Sequence, residues 1–473
     1  MVQGTKKRFT ATLVVMVLMA VLAAACSQAT TLEVTKARTG AVTEDVAGVG
    51  PSAAVDGSGQ VSAGTGATGS ARPGTTGASH PSGNAAADAV VEGPIKIGVM
   101  STLSGGQKFV GEPPYRVALA YAERLNARGG VNGRRFEVLG YDVCTNCPDE
   151  GLAQAKRAVE KDKVFALANT FVVNASLDQV VPYLNQRGVP MVQGSSGTQS
   201  RKPELSPYNF SVGLTVPNRA AIGADYAKAY LAKKGLPPKV ALLYFTDALT
   251  SYIAEEQRAA LKRVGLQIVD EEAVSYDATM TNQSSQVVKM RAAGAEMVIG
   301  SHGVLCAFSM QAADQANWQA PYLCTIMYDP FTTTIAGHSA LTDRDVFADT
   351  EGYATADMPG PGMADYLSLM HDYYPDGDVG LVTLYSYLGM RLIEEGVRSM
   401  GANVTPSGLA RFLESIHNYD AGGLTAPFTL GPKDHGSITG AQIVKLNPDG
   451  TFQRMTSNWV YPSAIHNLPG PVR

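Results

Sequence analysis

The sequence predicts an α/β protein made of two doubly wound parallel-sheet lobes joined by a hinge. Three observations predict it. Between residues 94 and 327, short and nearly continuous apolar runs alternate with helix-periodic segments. Such runs suit strands buried on both faces of a parallel sheet. The alternation breaks once, around Pro217-Asn218, and then resumes, which makes two units of it. Finally, 473 residues with 45% hydrophobic content supply a large core and exceed one typical domain.

Each element has a local reason. Ile95-Lys96-Ile97-Gly98-Val99 is the first strand. A helix over 115–127 follows, and Gly129-Gly130 stops it because glycine adopts the left-handed backbone of a helix exit. Strand 136–141 comes next, then a helix from about 149 with Leu152, Ala155 and Val159 on one face. Strand 164–168, helix 176–187 and strand 189–192 complete the first unit. In the second, helix 219–234 leads into strand 240–245. A helix with Ile253, Ala260, Leu261 and Val264 on one face precedes strand 266–269. Helix 284–293, strand 297–299, helix 304–316 and strand 322–327 finish the unit. Open α/β sheets bind ligands beyond the carboxyl ends of their strands, so two facing lobes imply a cleft closed by hinge motion.

The first segment reads as an export signal. Lys6, Lys7 and Arg8 precede an uncharged apolar run over 11–25. That run is shorter than the ~20 residues of a bilayer span. It ends in Leu22-Ala23-Ala24-Ala25-Cys26, and small residues before a cysteine suit a narrow peptidase site. The segment resembles a bacterial lipoprotein signal, with the leucine one place further from the cysteine than in the commonest pattern. This implies that Cys26 is lipidated, becomes the new N-terminus and anchors the protein at the outer face of the cell membrane. An uncleaved anchor or an ordinary secretory signal is the alternative. Residues 27–93 contain no Phe, Tyr or Trp and are dominated by Gly, Ala, Ser, Thr and Val. Such a segment buries too little apolar area to offset its ordering entropy. It reads as a disordered tether, spanning roughly 40–50 Å as a flexible coil.

Charge and motifs exclude several functions. Lys+Arg 38 against Asp+Glu 42 leaves a net charge of −4, so no basic excess exists to neutralise nucleic acid. The chain lacks a P-loop, a dinucleotide fingerprint, a nucleophile elbow and an HExxH pattern; Gly194-Ser195-Ser196-Gly197 is one residue short of an elbow. His371-Asp372 reads as a solvated helix pair, and Asp142 and Asp149 as surface acids. The residues therefore predict a binding protein, not an enzyme, with no cofactor and no metal. Cys144-Thr145-Asn146-Cys147 at a helix start has two readings. It is either a redox dithiol, which a helix N-terminus would activate, or a static disulfide, which export favours. Four cysteines allow three connectivities. Pairing 144–147 and 306–324 is favoured because each pair is close in the inferred topology, whereas a zinc site would need pairs from different lobes to converge.

Two blocks are specific: Ile97-Gly98-Val99-Met100-Ser101-Thr102-Leu103-Ser104-Gly105, and the helix exit Asn126-Ala127-Arg128-Gly129-Gly130-Val131-Asn132-Gly133-Arg134-Arg135. Gly188-Val189-Pro190 and Gly352-Tyr353-Ala354-Thr355-Ala356 accompany them. On these residues, the chain from Pro94 onward resembles the periplasmic branched-chain amino acid (Leu/Ile/Val) binding proteins, type I solute-binding components of ABC importers. The resemblance implies the type I periplasmic binding protein fold, whose chain crosses between lobes three times, here near 216, 356 and 442. The N-terminal lobe would be 94–216 plus 357–441, and the C-terminal lobe 217–356 plus 442–473. A monomer that hands a small ligand to ABC permease subunits is expected, with no nucleic acid partner. A tethered sensing module without a transporter is the alternative.

The resemblance also implies a site. One lobe of the family grips a ligand carboxylate with hydroxyls and backbone N–H groups at strand ends; the matching loops here are 171–176 and 193–198. Asn174 stands at a family Ser, Ser195 at a backbone-binding position, and Gly197 at a Thr for which Ser196 or Thr198 substitutes. A Gly/Ser loop opening a helix is an anion cradle and equally a helix-capping turn. Val110 aligns with a cleft aromatic, Thr250 with a cleft Tyr (Tyr252 lies two residues on), and His302 with a second Tyr. The family's acid for the ligand ammonium aligns near Ile326, with Asp329 the nearest acid. An unpaired ammonium in a closed cleft is costly. The replacements therefore point away from leucine, toward amides, urea-like molecules, carboxylates or aromatic acids.

Overall fold

The computed structural model describes residues 86–462 apart from 106–107, 144–146, 169–173, 194–205, 276–277, 326–333, 359 and 378. The first run of elements is β1 (Ile95–Ser101), α1 (Lys108–Ala127), β2 (Phe136–Asp142), α2 (Pro148–Lys156), β3 (Ala166–Ala168), α3 (Asn174–Arg187), β4 (Met191–Gln193) and β5 (Asn209–Leu214). The second is α4 (Val216–Lys234), β6 (Lys239–Phe245), α5 (Ala248–Val264), β7 (Gln267–Val274), α6 (Ser284–Ala292), β8 (Met297–Gly300), α7 (Gly303–Gln315), β9 (Tyr322–Cys324), α8 (His338–Thr342) and β10 (Val346–Asp349). The chain then forms α9 (Pro361–Tyr373), α10 (Leu381–Met400), α11 (Pro406–Glu414) and β11 (Gly436–Ile438), and ends with β12 (Ile443–Leu446) and β13 (Phe452–Arg454).

Two sheets result. The first has the order β11-β5-β4-β3-β1-β2 with parallel neighbours throughout. The second has the order β13-β12-β10-β9-β8-β6-β7. It is parallel from β7 to β10, but β12 and β13 continue it as an antiparallel ribbon, so this lobe is mixed and not wholly parallel. Strands β3, β8 and β9 are short and apolar, as strands covered on both faces must be.

Three segments pass between the sheets, and they lie side by side. Thr215 N–H donates to Ile438 O at 2.9 Å, and Thr350 N–H to Gln442 O at 3.0 Å. The Tyr353 hydroxyl donates to Val212 O at 2.8 Å. The connections after β5, after β10 and before β12 thus form one hydrogen-bonded strip, the geometry from which two lobes swing.

The helix exit between α1 and β2 shows why its sequence is specific. Gly129, Gly130 and Gly133 have φ of 94°, 74° and 76°, and Asn132 sits at 51°. A Cβ on Gly130 would lie 2.1 Å from Arg134 O. The Asn126 side chain pairs with both the N–H and the O of Phe136 at 2.8 Å, mimicking a strand neighbour. Asn132 Nδ2 donates to Val397 O and Gly401 O at 3.1 Å, tying the turn to the end of α10.

Some elements differ from expectation. α1 starts at Lys108, seven residues before the predicted start, although Pro113 and Pro114 lie inside it. The carbonyl of Pro114 accepts from the Ser386 hydroxyl at 2.6 Å, and that of Gly111 from Ser101 at 2.7 Å, so side chains compensate the crowded turn. β5 has no counterpart among the elements predicted from sequence, yet all six of its residues are buried.

Cys306 and Cys324 form a disulfide between the first turn of α7 and the end of β9, both side chains fully buried. Cys147 is also disulfide-bonded, and its partner lies outside the described residues. The Cys306→Ala plus Cys324→Ala variant is expected to lose about 2–4 kcal/mol of stability in urea denaturation, the usual range for a native bridge. A loss under about 1 kcal/mol would make the bridge incidental.

A second stability device sits at the amino end of β10. The Tyr230 hydroxyl and Lys445 Nζ each lie 2.6 Å from Asp345, and Lys234 Nζ lies 3.3 Å away. Burial alone would raise this carboxyl, but the donors outweigh it and hold its pKa at about 2, below the ordinary 3.8. A carboxyl depressed in the folded state contributes stability above the unfolded pKa and loses it as pH falls through the folded one. Asp345→Asn is therefore expected to flatten the decline of stability between about pH 4 and pH 2. An unchanged acid limb would contradict that role.

Candidate functional site

The carboxyl ends of the two sheets carry the candidate site. On the first lobe, β1 ends at Ser101 and Thr102 follows it, both buried. Asp142, at the end of β2, accepts from Leu103 N–H at 2.7 Å, Ser104 N–H at 3.2 Å and the Ser104 hydroxyl at 2.5 Å. The Thr102 hydroxyl donates to Val143 O at 2.9 Å. Asp142 is thus the clamp that shapes the loop after β1, not the plain surface acid expected from sequence.

On the second lobe, Asp247 follows β6 and caps α5, accepting from Leu249 N–H at 3.0 Å and Thr250 N–H at 3.1 Å. Thr250 is buried, and its hydroxyl lies 2.7 Å from Phe245 O and 2.5 Å from Asp247 Oδ2. Its single proton is committed within its own loop. Tyr252 is half-buried two residues further along α5. His302 follows β8 and caps α7: its Nδ1 accepts from Val304 N–H at 3.2 Å, which fixes the ring proton on Nε2. Its ring stands 5.4 Å from Phe245. Burial lowers its pKa to about 4 against a weaker opposing pull from Asp247, so it is neutral at pH 7.

The topology brings Val110 and Asn174 to the same edge of the first sheet: Val110 lies in the first turn of α1, and Asn174 is the first residue of α3. Neither side chain is among those described. Ser195, Ser196, Thr198 and Asp329 lie outside the described residues, as do Cys26 and Cys144. In the chain, Ser195, Ser196 and Thr198 come after β4, and Asp329 comes after β9. Across the cleft, α3 and α5 approach within 8 Å between Cα atoms. Among the described residues, no group of three His, Cys, Asp or Glu is placed to hold a metal ion. No described helix is long and apolar enough to cross a membrane.

The hinge carries residues that the sequence did not single out. Arg219, in the first turn of α4, is 6% exposed and ion-pairs with Glu351, 1% exposed, in the segment after β10. Asp349 is 3.8 Å from the guanidinium, and burial raises its pKa, with Arg219 opposing. The Tyr385 hydroxyl of α10 donates to Glu351 Oε2 at 2.8 Å. One buried network thus joins a helix of each lobe through a crossing segment. The only sequence sign was Gly352-Tyr353-Ala354, which marks the segment but not its charge.

A family model described as periplasmic binding protein matches residues 94–451. An amino acid binding protein from Pseudomonas aeruginosa is 26% identical over 331 residues, covering 68% of this chain and 82% of its own. Among solved structures, the solute-binding protein of an ABC transporter from R. palustris, in complex with 4-hydroxybenzoate, is 20% identical. It superposes with a TM-score of 0.65 over 78% of this chain and 97% of its own. The branched-chain amino acid transporter substrate binding protein LivJ from Streptococcus pneumoniae, in complex with isoleucine, is 18% identical. Its TM-score is 0.64, over 78% of this chain and 100% of its own. These structures share the fold. With the family match covering most of both lobes, the chain belongs to the periplasmic binding protein family, exported solute-binding proteins that bind and do not catalyse.

Proposed function

We propose that this protein is a solute-binding lipoprotein that captures a small polar ligand in the cleft between its lobes and delivers it to the permease of an ABC importer. The lobes are 94–216 plus 357–441 and 217–356 plus 442–473. The observation that carries the reading is the family match over 94–451 on two sheets joined by one hydrogen-bonded strip of three crossings. An amino acid, an amide or an organic acid is the ligand class. The ligands named for the two structural relatives, isoleucine and 4-hydroxybenzoate, both carry a carboxylate. Ser195, Ser196 and Thr198 are the residues assigned to meet one, together with Asn174. On the facing wall, His302 is a neutral hydrogen-bond donor and Asp247 is occupied by its own helix. That wall suits an uncharged or apolar ligand end better than an ammonium.

A thermal-shift screen of amino acids, amides and organic acids tests this reading. A ligand at a hundred times its Kd stabilises the folded state by about 2.7 kcal/mol. At least one compound is expected to raise Tm in a saturable way; no shift from any class would sink the assignment. Anchoring is tested separately. Cys26→Ser is expected to move the protein from the membrane fraction to the soluble one, with the ligand response intact. Retention in membranes with an unprocessed signal would exclude lipidation.

A further inference from the structure

A second site lies at the opposite pole of the first lobe. α1 runs from the carboxyl end of β1 back to the amino end of β2, so its last turns sit far from the cleft. There α1, α9 and α10 enclose a cavity of about 410 Å³. Four arginines line it: Arg124 and Arg128 from α1, Arg391 and Arg398 from α10. Three carboxylates share the lining, and each is already held. Asp365 accepts from Arg124 Nη2 at 2.7 Å and the Tyr387 hydroxyl at 2.5 Å. Glu394 accepts from the Tyr121 hydroxyl at 2.6 Å and Arg398 Nη2 at 2.5 Å. Glu395 accepts from Arg391 Nε at 3.0 Å and the Tyr419 hydroxyl at 2.8 Å.

Four guanidiniums against three carboxylates leave one positive charge. Arg128 supplies it: its exposed side chain makes no hydrogen bond or ion pair with another described residue and acts on Asp365 only through its charge, while its backbone N–H donates to Leu125 O. Each arginine offers five N–H donors, and the pairs above use only some of them. Guanidiniums around a solvent-open cavity with spare donors and a surplus charge match a tetrahedral oxyanion, which arginine meets with two parallel bonds. The volume exceeds that of bare phosphate and leaves room for the group that carries it.

We propose that this pocket binds a phosphate-type oxyanion, free or borne on a lipid headgroup, at a site separate from the interlobe cleft. The test uses the purified exported chain at fixed ionic strength. Inorganic phosphate is titrated and followed by phosphorus NMR line broadening; retention on phosphatidylglycerol vesicles is compared with retention on phosphatidylcholine vesicles. Arg128→Ala plus Arg398→Ala is expected to weaken one of these interactions about tenfold, the effect of losing a charged hydrogen bond. Both side chains are surface-exposed, so the fold tolerates their loss, and circular dichroism verifies it. Phosphate binding that depends on the arginines supports a free oxyanion, and vesicle binding that depends on them supports a headgroup. Absence of both, or binding unchanged in the arginine variant, overturns the proposal. Either result leaves the cleft's ligand response, measured by thermal shift, as an independent readout.

Discussion

Glu351→Ala is expected to lower stability by about 3–5 kcal/mol, because it strands a buried guanidinium. Arg219 and Glu351 are 6% and 1% exposed, and water cannot replace the lost carboxylate. The Tyr385 hydroxyl loses its acceptor in the same step. The backbone adds a separable term. Glu351 has φ of 56°, a region that is strained for any residue but glycine. Glu351→Gly should therefore be less destabilising than Glu351→Ala by about 1 kcal/mol, although both remove the charge. An Arg219→Met plus Glu351→Leu variant should lose less than the sum of the two single changes, since neither charge remains unpaired. Urea denaturation of Glu351→Ala, Glu351→Gly, Arg219→Met, Glu351→Leu and the double variant measures each quantity. A loss under about 1 kcal/mol for Glu351→Ala would remove this network from the hinge's stability.

Ser195→Ala plus Ser196→Ala should weaken ligand binding about ten- to a hundredfold without unfolding the lobe. Their loop follows β4, where a doubly wound sheet faces its cleft. A lost hydrogen bond to a charged group costs about 1.5–3 kcal/mol, which gives that range. Calorimetry with the screened ligand reads it. Asp329→Asn separates ligand classes: a large loss identifies a ligand with a positive charge, and no change identifies a carboxylate, an amide or another uncharged head. Unchanged affinity in the double serine variant would move the grip to another loop.

The βα alternation was legible because buried parallel strands are continuous apolar runs, and because glycines punctuate the exits. The turn Gly129-Gly130-Val131-Asn132-Gly133 shows this directly: its glycines hold the positive φ that their position in the sequence implies. β5 was not legible. Asn209 and Ser211 interrupt its apolar residues, although the strand is buried on both faces between β4 and β11. The antiparallel ribbon β12–β13 was hidden as well, since a local pattern does not fix strand direction. Asp142 and Asp247 each looked like one acid among many. Their roles come from loop N–H groups that fold back onto them. The pairing of Arg219 with Glu351 joins elements far apart in sequence, which no spacing rule reaches. The same holds for Arg124 with Asp365. The ligand grip itself was inferred by resemblance, and Thr250 illustrates the limit of that route: its hydroxyl proton serves its own helix cap.

The most direct test of a ligand held between the lobes is a crystal structure of the exported chain with the strongest compound from the thermal-shift screen. The expected density lies between the carboxyl ends of β3 and β4 on one side and those of β6 and β8 on the other, in contact with the loop 194–198. Density confined to the arginine pocket of α1, α9 and α10, or to any surface outside the cleft, would contradict the account.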